Sequence, residues 1–365
     1  MLFTNTDCLC FAKDPAVVRY RSRYWLYYSL RHEDGRFGIG IAESADMEHW
    51  TPCGEIEQDA LCETNGIAAP GAIVLNDKIH LFYQTYGNWE KDAICHAWSQ
   101  DGIHFTKNPE NPVFHPAATW CCGRAIDADV CVFGGKIHLY FATRDHAMRI
   151  QKIGGAWAKI DSDFGRNAWH PLAEQSLLMP ELAWEGDCIE APATVVEDGK
   201  IYLFYGGSYN CTPQQIGCAV SEDGIFFRRV SNEPLIPCGA PGTWNSSESG
   251  HPYAFRDDDG RVFLFYQGSS DNGKTWYISR KEVHFGSSVR ILTSEVDARE
   301  SKCSLDDRAR FDENKQHDEK RGTSPCRSSI WVQPSAPLTS ATAANARSTS
   351  IRTTSCISSD VRTAP

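Results

Sequence analysis

The sequence predicts an all-β protein with the architecture of a five-bladed β-propeller. Three observations support this fold class. An aromatic-rich apolar hexamer occurs five times, each copy follows a turn signal, and no segment has the periodicity of a long amphipathic helix. Five similar units at near-regular spacing form an internal repeat, and repeats of four short strands are typical of propeller blades. A β-sandwich or two stacked β-domains would explain the regular spacing less well.

Each hexamer has leucine at its third position, and successive leucines are 55 to 64 residues apart. Aromatic and β-branched residues favour β-strands. The five copies are YWLYYS from Tyr24, IHLFYQ from Ile79, IHLYFA from Ile137, IYLFYG from Ile201 and VFLFYQ from Val262. A shorter apolar run precedes each turn, and two further strand candidates follow most hexamers, for example at residues 38–44 and 216–221. Each unit is therefore predicted to contain four antiparallel strands.

The composition is that of a globular protein, since 41% of the 365 residues are hydrophobic and 23% are charged. The formal net charge of −11 argues against nucleic acid or an anionic membrane as partner, because both attract positive surfaces. Apolar runs are all shorter than the ~18 residues of a membrane helix. Residues 1–10 lack the pattern of a secretory signal. We therefore expect a cytoplasmic protein.

The repeat pattern stops near residue 285, which divides the chain into a propeller domain at residues 1–285 and a tail at residues 286–365. The tail is rich in charged residues and then in Ser, Thr, Ala and Arg, and it has few large apolar residues. Such a segment buries too little surface to offset the entropy of ordering it. We expect the tail to be disordered. The fifteen cysteines are irregularly spaced and are expected to be free thiols.

The start of the first strand carries an acidic or imidazole side chain in four of the five units. Asp14 and Asp127 lie twelve residues before the leucine of their hexamers, and Glu190 and His251 lie thirteen before theirs. The second unit has Ala69 at this position. Because the first strands of a propeller line its central channel, we expect three carboxyls and one imidazole to meet at one mouth of the channel.

Such a cluster of like charges is unfavourable in a partly desolvated channel, which indicates a functional site. Inverting glycoside hydrolysis needs a carboxylate base, a protonated acid about 6.5–9.5 Å away, and an environment that raises the pKa of the acid. The same side chains could instead hold a cation, although the sequence contains no dense loop of oxygen ligands. Both uses stay open at this point.

The segments around these acids resemble the three signature regions of glycoside hydrolase family 43. They are Asp14-Pro15-Ala16-Val17 before YWLYYS, Ala125-Ile126-Asp127 before IHLYFA, and Ile189-Glu190-Ala191-Pro192 before IYLFYG. The family consists of five-bladed propellers that act chiefly on arabinofuranosides and xylosides. The resemblance implies that Asp14 is the general base, Glu190 the general acid and Asp127 the residue that orients the acid and modulates its pKa. It also implies a channel position for His251, beside a central water or metal.

Some residues around the acids depart from the family pattern. Asp127 is followed by Ala128, where the family usually has Pro, and Asp129 is a competing candidate. Retaining fructosidases of a related clan use two Asp and one Glu on the same fold, but their Asn-Asp-Pro and Glu-Cys motifs are not present here. A fructosidase, a phosphorylase on a related propeller and a carbohydrate-binding propeller without turnover therefore stay open as competing functions.

Four residues are predicted to contact the sugar. Trp89, in a loop with Tyr86, and Trp184, six residues before Glu190, offer aromatic faces on which sugar rings stack. Arg280 is predicted to lie in the last strand, where the family resemblance implies a substrate-facing arginine, and His251 is the fourth. The expected partner is an oligosaccharide or polysaccharide. We expect no cofactor to be required, with calcium near His251 as the competing possibility.

Overall fold

The computed structural model describes residues 2–6 and 9–292, which form five separate four-stranded antiparallel sheets. The prediction of a five-bladed β-propeller is confirmed. The last strand follows the boundary predicted at residue 285 and ends at Ile291. The predicted disorder of the tail concerns residues that, from 293 onward, lie outside the described part of the chain.

Each sheet, called a blade below, has its strands in chain order from the channel outward. Blades one and two consist of β1 (Lys13–Tyr20), β2 (Arg23–Arg31), β3 (Phe37–Ser44) and β4 (Thr51–Glu55), then β5 (Ile67–Leu75), β6 (Lys78–Thr85), β7 (Ile94–Ser99) and β8 (Thr106–Lys107). Blade three consists of β9 (Ile126–Phe133), β10 (Lys136–Arg144), β11 (Gln151–Lys159) and β12 (His170–Pro171). Blades four and five consist of β13 (Ile189–Glu197), β14 (Lys200–Gly207), β15 (Gln215–Ser221) and β16 (Arg228–Arg229), then β17 (Glu248–Arg256), β18 (Val262–Ser269), β19 (Tyr277–His284) and β20 (Arg290–Ile291).

The predicted hexamers form the second strand of every blade. Successive side chains of a strand point to opposite faces of the sheet, so two adjacent aromatic residues pack against both neighbouring blades. Each hexamer carries such a pair at its fourth and fifth positions. The pairs are buried: Tyr27 and Tyr28, Phe82 and Tyr83, Tyr140 and Phe141, Phe204 and Tyr205, and Phe265 and Tyr266. These aromatic layers between the blades form most of the core.

The innermost strands contact one another in order around the channel, and β17 contacts β1. The segment before β1 strengthens this closure. Phe3 forms a β-bridge with Ile278 of blade five, and Phe11 forms another with Trp276. Residues that precede blade one are therefore paired with the third strand of blade five.

Every innermost strand begins with the same irregularity. The pairing with the second strand shifts register there, and the residue within the shift has a left-handed φ of 42° to 53°. These five left-handed residues are Asp14, Ala69, Asp127, Ala191 and His251. Proline follows four of them, the exception being Asp127.

The shared position corrects one step of the sequence alignment. Counting thirteen residues back from the leucine of blade four placed Glu190 at the same position as Asp14 and Asp127. The structure places Ala191 there and Glu190 one residue earlier. The hairpin of blade five is one residue longer than that of blade four. Ala254 pairs with Leu264, ten positions later, whereas Thr194 pairs with Leu203, nine positions later. A count of thirteen therefore reaches the left-handed position in blade five but goes one residue past it, to Glu190, in blade four.

In the described part of the chain, no helix is long and apolar enough to cross a membrane. The eleven cysteines described by the structure are all free thiols.

Candidate active site

Four of the predicted site residues meet at one mouth of the channel. The imidazole of His251 lies among the three carboxyl groups. Its Nδ1 is 3.0 Å from Asp14 Oδ1, and its Nε2 is 3.7 Å from Asp127 Oδ1 and 3.9 Å from Glu190 Oε1. All four residues are buried, with 6% to 7% of their surface exposed. Residues up to 237 positions apart in the chain thus form one cluster around a single ring.

Asp14 is stabilised as a carboxylate. Burial alone would raise its pKa, but His251 and then Lys13 hold the pKa well below its usual range. Lys13 Nζ is 3.9 Å from Asp14 Oδ1. The Asp14 backbone N–H donates to Gln267 Oε1 at 3.0 Å, which fixes the left-handed turn. Asp14 is therefore ionised and well positioned at neutral pH.

Asp127 has the opposite electrostatic character. Burial raises its pKa to about 7, since the charges of Glu190 and Asp14 reinforce the effect of burial while His251 opposes it. The Asp127 backbone N–H donates to Gln84 Oε1 at 2.7 Å. Its Oδ2 is buried without a hydrogen-bond partner in the described residues. Burial thus favours the protonated form of Asp127, and the two neighbouring acids face less repulsion.

The imidazole of His251 is protonated at neutral pH. Burial lowers its pKa, but Asp14 and Asp127 more than offset this and raise the pKa to about 9. The imidazolium supplies positive charge at the centre of the three acids. This charge partly compensates the clustered carboxylates.

Glu190 is held by two buried glutamines. Gln214 Nε2 donates to Glu190 Oε1 at 2.6 Å, and Gln151 Nε2 donates to Glu190 Oε2. Sequence reasoning missed both residues. A signal was available, because the motif Gln-x-Ile-Gly occurs at residues 151–154 and again at residues 214–217, at equivalent positions of blades three and four.

The competing candidate Asp129 performs a structural role. Its Oδ2 accepts a 2.8 Å hydrogen bond from the backbone N–H of Thr194 and a second bond from the Thr194 hydroxyl. These bonds join β9 to β13, two residues further along the strand than Asp127. Burial raises the pKa of Asp129 to about 7. Its role is to link the innermost strands of blades three and four.

A cavity of about 20 Å³ lies on the channel axis beneath the cluster, which is room for about one water molecule. It is lined by the five left-handed residues and those that follow them, residues 14–15, 69–70, 127–129, 191–192 and 251–253. All five blades therefore direct the same backbone position toward one point.

Trp89 lies on the same end of the molecule as the acids. Strand β6 ends beside the start of β5, so the loop that follows β6 is at the mouth of the channel. The side chain of Trp89 is mostly exposed, with 69% of the residue surface accessible. In the same loop, Tyr86 stacks on Phe37 with ring centroids 4.3 Å apart. Contact of Trp89 with a sugar stays a prediction.

Trp184 packs against its own blade. It stacks on Tyr205 with ring centroids 6.0 Å apart, and its Nε1 donates to Asn232 O at 2.9 Å. A Cβ atom at Gly207 would lie 2.2 Å from the indole, so the strand surface is shaped around this ring. This packing explains Trp184 structurally, and its contact with substrate stays a prediction.

The structure places Arg280 in β19, the third strand of blade five and not the last, and does not bring it to the acids. Its guanidinium forms an ion pair with Glu48 and lies 4.5 Å from the ring centroid of Phe263. Glu48 belongs to the turn between β3 and β4, at the end of the blade opposite Asp14, because β3 ends beside the start of β2. The ion pair with a distant residue accounts for Arg280 without a substrate.

A second cluster, formed by Cys62, Glu63 and Cys95, has potential metal ligands within 4.8 Å of one another. Glu63 already accepts a 2.7 Å hydrogen bond from Tyr83 and pairs with Lys107. Blade four repeats this arrangement with a different set of residues: Glu185 accepts a 2.7 Å bond from Tyr205 and pairs with Arg229. Because the same contacts occur in blade four without thiols, Glu63 has a structural role.

Comparison with known proteins identifies the family. The model of glycosyl hydrolases family 43 matches residues 5–291, the whole of the propeller. The chain belongs to glycosyl hydrolase family 43. A β-xylosidase of Xylanibacter ruminicola is 29% identical to this family 43 chain over 98 residues, and this match spans about a quarter of either protein, 27% of the chain and 26% of the relative.

Solved structures share the fold of this family 43 glycoside hydrolase. A thermostable family-43 glycoside hydrolase superimposes with a TM-score of 0.64 at 21% identity, covering 78% of this chain and 93% of the other. An α-L-arabinofuranosidase of Lactobacillus brevis superimposes with a TM-score of 0.60 at 14% identity, covering 80% and 96%. At these identities the likeness concerns the fold.

Proposed function

We propose that this family 43 glycoside hydrolase removes α-L-arabinofuranosyl or β-D-xylosyl residues from plant-type polysaccharides or oligosaccharides with inversion of configuration. The observation that carries the proposal is the arrangement of Asp14, Asp127 and Glu190 around His251 at the mouth of the channel. Family membership supports the reaction class, and the β-xylosidase and arabinofuranosidase among the similar proteins support a pentoside as substrate.

In the proposed mechanism, Asp14 is the general base. It removes a proton from a water molecule that attacks the anomeric carbon. Glu190 is the general acid and donates a proton to the leaving oxygen on the other face of the sugar. Asp14 and Glu190 face different nitrogens of the His251 ring, which keeps them apart and supports a route in which water enters between base and sugar.

Asp127 and His251 set the electrostatics of this pair. His251 keeps Asp14 ionised, as a base must be, because the imidazolium holds the pKa of Asp14 below its usual range. Burial raises the pKa of Asp127, which shares the buried space beside Glu190, and this favours the uncharged form of Asp127. We propose that the reaction requires no cofactor, and the partial compensation of the carboxylates by the imidazolium supports this. Trp89 and Tyr86 are proposed to receive the rest of the substrate.

The test is turnover of 4-nitrophenyl α-L-arabinofuranoside and 4-nitrophenyl β-D-xyloside by the purified protein, with the anomer of the first-formed sugar read by NMR. We expect release of 4-nitrophenol and an initial product of inverted configuration. Asp14→Asn should lower kcat by at least about 100-fold, because it removes the general base. Asp77→Asn, at an exposed hairpin turn, is the matched control and should leave kcat unchanged.

Three results would contradict the proposal, and each indicates a different function. A retained anomeric configuration would indicate a nucleophile instead of a general base. Dependence of turnover on phosphate would indicate a phosphorylase. Sugar binding without any turnover would indicate a binding propeller.

A further inference from the structure

Beyond the acids, each blade places one more residue at the mouth. In each blade, the last residue of the hexamer pairs with an isoleucine of the third strand. The additional residue lies two positions before that isoleucine. These five equivalent residues are Phe37, Asp92, Gln151, Gln214 and Trp276. The two glutamines come from blades three and four, and both reach the carboxyl group of Glu190.

The orientation of the Gln151 amide is set by Arg144. Arg144 Nε donates to Gln151 Oε1 at 2.6 Å, and a guanidinium has no acceptor. The amide oxygen must therefore face Arg144, which turns the amide N–H group toward Glu190 Oε2. Gln151 is fully buried, and its backbone N–H donates to Asp187 O at 2.9 Å, close to Glu190 in the chain.

The orientation of the Gln214 amide is set in the same way. The backbone N–H of His251 donates to Gln214 Oε1 at 3.1 Å, so the amide N–H group faces Glu190 Oε1. The amide has a tightly fitted place, because a Cβ atom at Gly250 would lie 1.8 Å from Gln214 Oε1. A side chain at position 250 would displace the amide.

We propose that Gln151 and Gln214 are positioning residues for the general acid, and that Arg144 acts through Gln151. With one N–H donor fixed on each oxygen, the plane of the Glu190 carboxyl group is defined. Its proton then occupies a remaining lone pair and is directed toward the leaving oxygen. After the proton has left, the same two donors contact the new negative charge. This inference rests on the proposed function, in which Glu190 is the acid.

The test is the leaving-group dependence of kcat/KM in Gln151→Met, which keeps the length of the side chain and removes its hydrogen bonds. The substrates are aryl glycosides of the pentose that the wild-type protein cleaves, with leaving groups from 2,4-dinitrophenol to phenol. We expect kcat/KM to fall about 100-fold for the phenyl glycoside and less than about 3-fold for the dinitrophenyl glycoside, because only a poor leaving group needs the acid. The change should appear in kcat and not in KM.

The matched control is Gln267→Met. Gln267 is an equally buried glutamine that accepts the backbone N–H of Asp14 at 3.0 Å, on the side of the base. Its loss should lower kcat/KM by the same factor for every leaving group. Arg144→Met changes a partly exposed residue and should reproduce the leaving-group-dependent loss at about 10-fold for the phenyl glycoside, and Arg144→Lys should restore activity because lysine also donates to Gln151.

A second measurement needs no substrate. The ¹³C chemical shift of the Glu190 carboxyl should change in Gln151→Met and stay unchanged in Gln267→Met. An unchanged shift in Gln151→Met, or a loss of kcat/KM independent of the leaving group, would overturn the inference. A wild-type protein that cleaves no pentoside would instead contradict the proposed function, while the carboxyl shift would still test the contacts of Gln151.

Discussion

At the scale of single residues, the site depends on a backbone conformation that few side chains accept. Asp14, Asp127 and His251 all have left-handed φ values, and Asp and His are among the non-glycine residues found most often in that region. The residue types that suit the chemistry are thus also the types that suit the backbone. Glu190, one residue before Ala191, avoids this constraint because it occupies an extended position of β13.

A single substitution, His251→Gln, is expected to change the pH dependence of activity. Burial raises the pKa of Asp14, and the imidazolium 3.0 Å away is the largest influence that lowers it. Without this charge the pKa of Asp14 rises, so the base becomes protonated at a higher pH. We expect the acidic limb of the profile of kcat/KM against pH to move upward by about 1 unit or more, as for the loss of a close opposite charge.

The measurement is kcat/KM from pH 3 to pH 9 with a dinitrophenyl glycoside, since this substrate needs little help from the acid. The wild-type protein should show no acidic limb from Asp14 in this range, because His251 and Lys13 hold the pKa of that carboxyl well below its usual range, whereas His251→Gln should show one. His49→Gln, at a mostly exposed residue, is the control and should leave the profile unchanged. A profile of His251→Gln without an acidic limb between pH 3 and pH 9 would contradict the electrostatic role given to the imidazole.

At the scale of elements, blades two and four share a buried cluster of a glutamate, a tyrosine and a cation, called the glutamate cluster. A short 3₁₀ turn before the innermost strand supplies a buried glutamate, the second strand supplies a tyrosine and the fourth strand supplies a cation. In blade four, Glu185 accepts from Tyr205 at 2.7 Å and from Arg229 Nε at 2.7 Å. The glutamate cluster connects the outermost strand of blade four to the loop that leads to Glu190.

Glu185→Gln should therefore destabilise the protein. The substitution leaves the largely buried Arg229 without its fully buried partner, and breaking such a pair typically costs about 3–5 kcal/mol. Glu181→Gln is the matched control, because Glu181 contacts the same arginine but its side chain is 66% exposed. Its expected cost is below about 1 kcal/mol. Urea unfolding followed by tryptophan fluorescence measures the free energy of unfolding of both variants. Equal losses in the two variants would contradict the stabilising role of the glutamate cluster.

At the scale of the whole molecule, a propeller is stable only if its ring closes. Two of the contacts between blade five and blade one lie at opposite ends of the blades. The first is the pairing of Phe3 with Ile278. The second lies at the other end of the blades, where Asp257 accepts hydrogen bonds from Arg19 at 3.1 Å and from Tyr24 at 2.8 Å. Separate contacts therefore stabilise the two ends of the interface between blades five and one.

Phe3→Ala should weaken this closure. Phe3 is buried and makes an edge-to-face contact with Tyr28 at a centroid distance of 5.0 Å, so we expect a loss of about 3–5 kcal/mol in the free energy of unfolding. Leu2→Ala, next to it and 52% exposed, should change it by less than about 0.5 kcal/mol. Differential scanning calorimetry compares the two variants, and similar melting temperatures would show that the segment does not stabilise the ring.

The sequence predicted the blades because an apolar hexamer with paired aromatic residues is a local pattern. It also predicted which carboxyls meet, because residues at equivalent positions of a repeat lie close together around the channel even when they are far apart in the chain. It did not predict the partners of side chains. The ion pair of Arg280 with Glu48 joins residues 232 positions apart, and nothing local to Arg280 indicates it. The roles of Gln151 and Gln214 depend on how two blades face Glu190, which a short motif does not reveal.

The left-handed corner at the head of each innermost strand has a consequence for how such sites change. Ala69 and Ala191 have the same backbone conformation as Asp14, Asp127 and His251, and all five line one cavity. Duplicating a blade therefore duplicates a place from which a short side chain reaches the axis, while the surrounding scaffold stays the same. New chemistry at this mouth can arise through a single codon change at a corner that already carries alanine.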